Sequence, residues 1–236
     1  MKKICGVLIL VVGVMTNSYA GISIGLKGGY VYQSLTPKEV HEITKITTGT
    51  STTTTDSTYT PTGEGAETKH PNGFGGGVLF EIIPPVIPVG VELNVGFYTG
   101  SFTETEEICS TYTVNSIKVS ALGKYYIKGP PMISPWVGVG PFIGLTTHKS
   151  KVEDLNMTFE GDMVPNFGIL GGAGANIGIV PKLSLNIGIL FDYFIESKGK
   201  STMKYTFGET VTETTSEVKF SQWNINALIG VSYGIM

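Results

Sequence analysis

Beyond residue 20 the apolar residues recur at every second position, and no stretch keeps a helical period of 3.6 residues for long. The clearest run is 183–195. Leu183, Leu185, Ile187, Ile189, Phe191, Tyr193 and Ile195 fall on one parity, with Ser184, Asn186, Gly188 and Asp192 on the other. The same alternation appears at 22–33, 73–83, 90–101, 115–128, 136–146, 166–179 and from about 218 to the end. It predicts eight strands, each long enough for the roughly nine to eleven residues a tilted strand needs to cross a bilayer.

The connections alternate in length. Those at 84–89, 129–135 and 180–182 are short and carry proline, which cannot donate to a strand ladder. Those at 34–72, 102–114, 147–163 and 197–217 are long, and hold 15 of the 19 acidic residues. Short turns at one end and long loops at the other predict an all-β, eight-stranded, antiparallel up-and-down transmembrane β-barrel with both termini on the short-turn side.

The chemistry of the two parities favours a membrane over water. A soluble barrel turns its polar parity outward, where Lys and Glu are expected. Here that parity is mostly Gly, Asn and Ser, which suits a crowded lumen lined with small residues. The apolar parity is nearly free of charge, as hydrocarbon requires. Its aromatic residues predict two girdles. Tyr30, Tyr32, Phe74, Phe97, Phe167, Phe191, Tyr193 and Trp223 fall toward the long loops, and Phe80, Tyr125 and Tyr233 toward the short turns.

The start of the chain fits this destination. Residues 1–20, MKKICGVLILVVGVMTNSYA, combine two lysines, a short apolar run and small residues at Ser18 and Ala20, the layout of a cleaved secretory signal. Residues 21–236 then form a single barrel domain with one remaining cysteine, Cys109, and hence no internal disulfide. All 16 basic residues are Lys and the net charge is −3, so nucleic acid is not an expected partner.

Signal segment, strand number and turn alternation together resemble the small outer-membrane β-barrels of the OmpA, OmpX and Opa type. The resemblance covers essentially all of 21–236. It implies an integral protein of the bacterial outer membrane, inserted by the barrel assembly machinery. Members of that family end in an aromatic residue that this machinery reads; here the last aromatic, Tyr233, stands three residues before Met236.

Six charges share the lumen parity: Lys27, Glu81, Glu92, Lys118, Lys124 and Asp192. They are expected to pair across the barrel and plug it, because a buried charge is tolerated only with a partner. The alternative is a narrow polar, porin-like pore. The first long connection holds 16 Ser or Thr among residues 34–71, too little apolar surface to pack. It is expected to be disordered, or to extend the first two strands as a polar ribbon. The four loops make an acidic, Thr-rich outer surface, expected to contact a host or other extracellular ligand, in antigenic display or adhesion.

Catalytic signals are weak. Gly230-Val-Ser-Tyr-Gly234 has the form of a nucleophile elbow but alternates like a strand, with no helix to follow it. Ser201-Thr-Met-Lys204 lies in a loop without companion motifs. His41, His70 and His148 lack metal-ligand spacing. The expectation is no catalytic residue, no cofactor and no metal, with an outer-membrane lipid-modifying enzyme centred on His148 as the catalytic alternative. Asn156-Met-Thr158 is a sequon that most bacteria ignore.

Overall fold

A computed structural model describes residues 21–84, 87–104, 110–130, 132–152 and 157–235. The signal segment, Cys109 and Asn156 of the sequon lie outside the described residues. The strands are β1 (Gly21–Thr48), β2 (Ser51–Tyr59), β3 (Asn72–Ile83), β4 (Val89–Glu104), β5 (Ser110–Tyr126), β6 (Ile133–Val152), β7 (Met157–Glu160), β8 (Val164–Val180), β9 (Leu183–Phe207) and β10 (Thr210–Gly234). All pairings are antiparallel. Eight strands form a ring in the order β1-β3-β4-β5-β6-β8-β9-β10, and β10 pairs back onto β1 from Ser23↔Gly234 upward. The ring leaves no open edge in its wall, which is the condition for crossing hydrocarbon with strands.

The alternation decides which face is which. Leu26, Phe74, Val78, Val95, Phe97, Val139, Ile169, Ile189 and Ile229 point outward and are exposed. Glu81, Glu92, Lys118, Lys124 and Asp192 point inward and are buried. Below, the chain turns through Met132 and Lys182, the two non-glycine residues with positive φ among those described, at 71° and 70°.

The long connections are corrected by the structure. Much of 34–72 and 197–217 is strand rather than loop: β1 runs on to Thr48, β2 returns, β9 runs on to Phe207 and β10 begins at Thr210. Of the two expected arrangements for the Thr-rich segment, a polar ribbon is formed, but not by the first two wall strands: of these it extends β1 alone, pairs it with β2 and β10, and leaves β3 to begin at Asn72. Thr and Val are enriched in strands, and these segments pair through backbone ladders and cross-strand side-chain contacts without the apolar alternation that marks the barrel wall. At the two tips, Gly49 and Gly208 take φ of 58° and 59° at the first central position of two-residue turns, the type II′ arrangement that fits strand twist. The result is a sheet in the order β2-β1-β10-β9 standing beyond the apolar belt. A short accessory strand, β7, pairs with β6 at the same end.

Candidate functional site: filled lumen and exposed ribbon

All six inward charges sit in the barrel and divide into two networks. Toward the short turns, Lys27 Nζ lies 2.5 Å from Glu92 Oε1, and Lys124 Nζ bridges Glu92 Oε2 at 2.6 Å and Glu81 Oε1 at 2.7 Å. The Tyr126 hydroxyl donates to Glu81, and Asn176 Nδ2 donates to the other Glu81 oxygen at 3.3 Å. Lys124 also stands over the Trp136 ring, 4.5 Å from its centroid. Higher up, Lys118 Nζ donates to Asp192 Oδ2 at 2.6 Å and Asn226 Nδ2 donates to the same oxygen at 2.9 Å. Lys118 lies 4.4 Å from the Tyr98 ring centroid and 5.3 Å from that of Phe142. Each network balances its formal charge, two Lys against two Glu below and one Lys against one Asp above. Such balance is what a low-dielectric interior demands.

Apolar side chains separate the networks. Along β5, Leu122 stands between Lys124 and Lys118. Leu79 lies above Glu81 on β3, Leu190 below Asp192 on β9, and Leu228 below Asn226 on β10. Leu122, Trp136, Phe142, Leu170, Leu190, Phe194 and Leu228 belong to one buried cluster, with Phe142 and Phe194 edge to face at 4.8 Å. This corrects the picture of a lumen lined with small residues. Small residues are there, but as seats for large ones. A Cβ on Gly174 would come within 2.6 Å of the Trp136 ring, one on Gly172 within 2.6 Å of Leu190, and one on Gly138 within 3.1 Å of Leu122. Gly75 likewise seats Tyr98, and Gly168 seats Phe142. A cavity of about 30 Å³ remains beside Lys27, Glu92, Lys124 and Trp136, room for about one water molecule.

The sequence reading missed Tyr98, Tyr126, Trp136, Asn176 and Asn226 as members of these networks. The signal was present, since all five fall on the lumen parity that placed the charges. Residues chosen as small-residue positions and residues chosen as charges left the large uncharged ones unassigned.

The outward aromatics lie on the apolar face. Tyr30, Phe74, Phe97, Tyr125, Phe167, Phe191, Tyr193 and Tyr233 are exposed, while Tyr32, Phe80 and Trp223 are half-buried by neighbours on the same face. Near the ribbon they touch one another: Tyr30 meets Phe74 edge-on at 6.2 Å, and Trp223 packs between Tyr32 at 5.7 Å and Phe191 at 5.9 Å.

The remaining candidates are dispersed. Ser232 is buried in β10 and accepts from Asn186 Nδ2 at 3.0 Å, so the apparent nucleophile elbow is a lumen-facing strand position. Ser201 and Lys204 are three apart on β9 and therefore point to opposite faces of the ribbon. His41 Nε2 lies 2.8 Å from Asp56, and His70 Nδ1 lies 2.8 Å from the Tyr32 hydroxyl. His148 caps the lumen, stacked on Phe220 at 5.3 Å with its Nε2 buried. Burial pushes its imidazole down to about 4, against an opposing hydrogen bond to the Lys198 backbone.

The ribbon has two unlike faces. Register sets Thr48 beside Thr210, Ile46 beside Thr212 and Thr44 beside Thr214 on the face that continues the lumen side. The Thr44–Thr214 and Thr48–Thr210 hydroxyl pairs are hydrogen-bonded at 3.2 and 3.0 Å. The other face carries Lys45-Glu213-Lys204 and His41-Glu217-Lys200 across β1, β10 and β9. Lys219–Glu39 at 2.7 Å and Lys198–Glu217 at 3.5 Å continue the alternation of sign. The irregularity between Pro37 and Glu39 moves β1 from odd inward positions in the barrel to even ones in the ribbon.

No family model matches the sequence, and no curated protein matches it. Solved structures match along most of the chain. A major outer membrane protein of Thermus thermophilus aligns with a TM-score of 0.51 and 14% identity over 86% of this chain and 98% of that one. The outer membrane protease OmpT of Escherichia coli aligns at 0.50 and 8% over 92% and 97%, and the outer membrane protein OprG of Pseudomonas aeruginosa at 0.47 and 14% over 92% and 97%. With its closed ring of eight antiparallel strands, apolar exterior and filled lumen, the chain has the fold of the small outer-membrane β-barrel proteins, as its resemblance to the OmpA and OmpX type implied.

Proposed function

We propose that this protein is an integral barrel of the bacterial outer membrane that carries out surface interaction through the exposed ribbon, with a lumen that neither conducts nor catalyses. The observation that carries the reading is the ribbon itself. Four strands are built and paired well beyond the apolar belt, with charges cross-paired on one face and hydroxyls aligned on the other. A barrel needed only to span a membrane has no use for them. The outer-membrane proteins sharing the fold support the location, and at 8% identity OmpT lends fold but no protease activity. Adhesion and antigenic display are the roles this ribbon suits. Insertion would proceed through the barrel assembly machinery, with Tyr233 on the outward face as the aromatic nearest the end of the chain.

The test is retention of dye-loaded vesicles carrying the full chain on three surfaces: epithelial cell layers, extracellular matrix films and a lawn of the same vesicles. A barrel trimmed of 40–59 and 200–217 serves as control. Retention on any surface that disappears on trimming supports the reading. Equal retention of full and trimmed barrels on all three overturns it.

A further inference from the structure

The outer edge of β2 has no strand beside it among the described residues: β2 ends the order of the sheet and pairs only with β1. All nine of its residues, Ser51-Thr-Thr-Thr-Thr-Asp-Ser-Thr-Tyr59, are exposed. Natural sheets guard such edges with charged side chains, Lys above all, with proline or with a bulge. This one has neither Lys, proline nor bulge, and its single charge, Asp56, is held by His41 of the neighbouring strand. We propose that the β2 edge is a homotypic adhesion site, pairing antiparallel with β2 of a second copy held in a facing membrane. The proposal rests on the surface-interaction reading and names its partner.

Symmetry favours that arrangement. Two copies in one membrane present β2 in the same direction, so they can meet only in parallel, which is the weaker pairing per residue. A two-fold axis along the strands would also set the charged face of one ribbon beside the hydroxyl face of the other. Antiparallel pairing about an axis perpendicular to the sheet joins like faces, and it requires the two copies to point in opposite directions. They must then stand in opposed membranes.

The segment is complementary to itself in this register. Full overlap sets Ser51 beside Tyr59, Thr52 beside Thr58, Thr53 beside Ser57, Thr54 beside Asp56, and Thr55 beside its own counterpart. No like charges face each other, whereas a slip of two residues toward Tyr59 would oppose Asp56 to Asp56. Each Asp56 also keeps His41 Nε2 at 2.8 Å. Thr opposite Thr is the pairing the ribbon already uses internally, at Thr47–Thr52, Thr44–Thr214 and Thr48–Thr210. Space is sufficient too. At full overlap the tip of each ribbon reaches the level of Val40 and Tyr59 on the other, and residues 33–39 of β1 still separate that level from the aromatic girdle.

Thr55 opposes itself only in this geometry, and it lies exposed at an edge where substitution spares the barrel. Vesicles of phosphatidylcholine carrying the full chain, labelled in two colours, would be followed by fluorescence cross-correlation. Wild-type vesicles should associate. Thr55→Lys alone and Thr55→Glu alone should each lower association about tenfold by placing like charges opposite. Mixing Thr55→Lys vesicles with Thr55→Glu vesicles should restore it, and high salt should weaken the mixed pair but not the wild type. The proposal is overturned if wild-type vesicles stay separate, if either variant alone associates as the wild type does, or if the mixture does no better than its components. Separate wild-type vesicles that still bind cells or matrix through the ribbon would overturn the homotypic site and leave the surface-interaction reading standing.

Discussion

Lys118 and Asp192 are both buried and meet at 2.6 Å, so each is the reason the other can be charged. Replacing one alone strands its partner in a low-dielectric interior. Lys118→Met is expected to cost about 3–5 kcal/mol, and the double replacement with Asp192→Leu clearly less. Guanidinium unfolding of the detergent-solubilised barrel, followed by the gel shift between boiled and unboiled samples, measures both. Steric seats are as specific. Gly174→Ala drives a methyl into the Trp136 ring and is expected to cost about 1–3 kcal/mol by the same assay, whereas Thr54→Ala at the exposed edge should be neutral. His148 supplies a pH dependence. Its folded pKa, about 4, lies below the ordinary value near 6.5, so the folded state takes up a proton less readily than the unfolded one. The stability it contributes is therefore present above pH ~6.5 and lost as pH falls toward ~4. Protection factors of the amides around 146–150 and 218–222, which are corrected for the slower intrinsic exchange in acid, should fall between pH 7 and 5, and His148→Phe should abolish that fall.

At the scale of elements, the ribbon holds its register by charge order rather than burial. Lys45, Glu213 and Lys204 lie side by side on β1, β10 and β9. Glu213→Lys would place three lysines in a row and is expected to loosen the tips by about 1 kcal/mol, read as faster hydrogen exchange and protease cutting near Gly49 and Gly208 with the barrel intact. The gain from each exposed pair is small, and the ribbon needs several of them. The bulge between Pro37 and Glu39 is the hinge between the two regimes. Below it β1 alternates apolar against polar; above it both faces are polar, and the alternation that marks a strand in sequence disappears.

For the whole molecule, the decisive quantity is how completely eight strands fill their interior. An eight-strand barrel is only wide enough for its own side chains, and here two balanced ion networks are stacked on either side of a leucine and aromatic layer. The purified barrel is expected to show no steady conductance in planar bilayers. Replacing Leu79, Leu122, Leu190 and Leu228 together by Ala should introduce one if this layer is the seal, while leaving both ion networks in place.

The sequence alone determined the wall: strand number, the inward and outward parity of each strand, the six lumen charges and the ends marked by short and long connections. These follow from a period of two and from hydrocarbon excluding charge, both local properties of the chain. Which charge meets which was decided only by the tertiary structure, because strands separated by 65 and 74 residues must come into register before Lys27 finds Glu92 and Lys118 finds Asp192. The ribbon was likewise decided there. Its strands bury too little apolar surface to show a period, and only the pairing of β1 with β10, the two ends of the chain, brings the Thr and charge ladders into line.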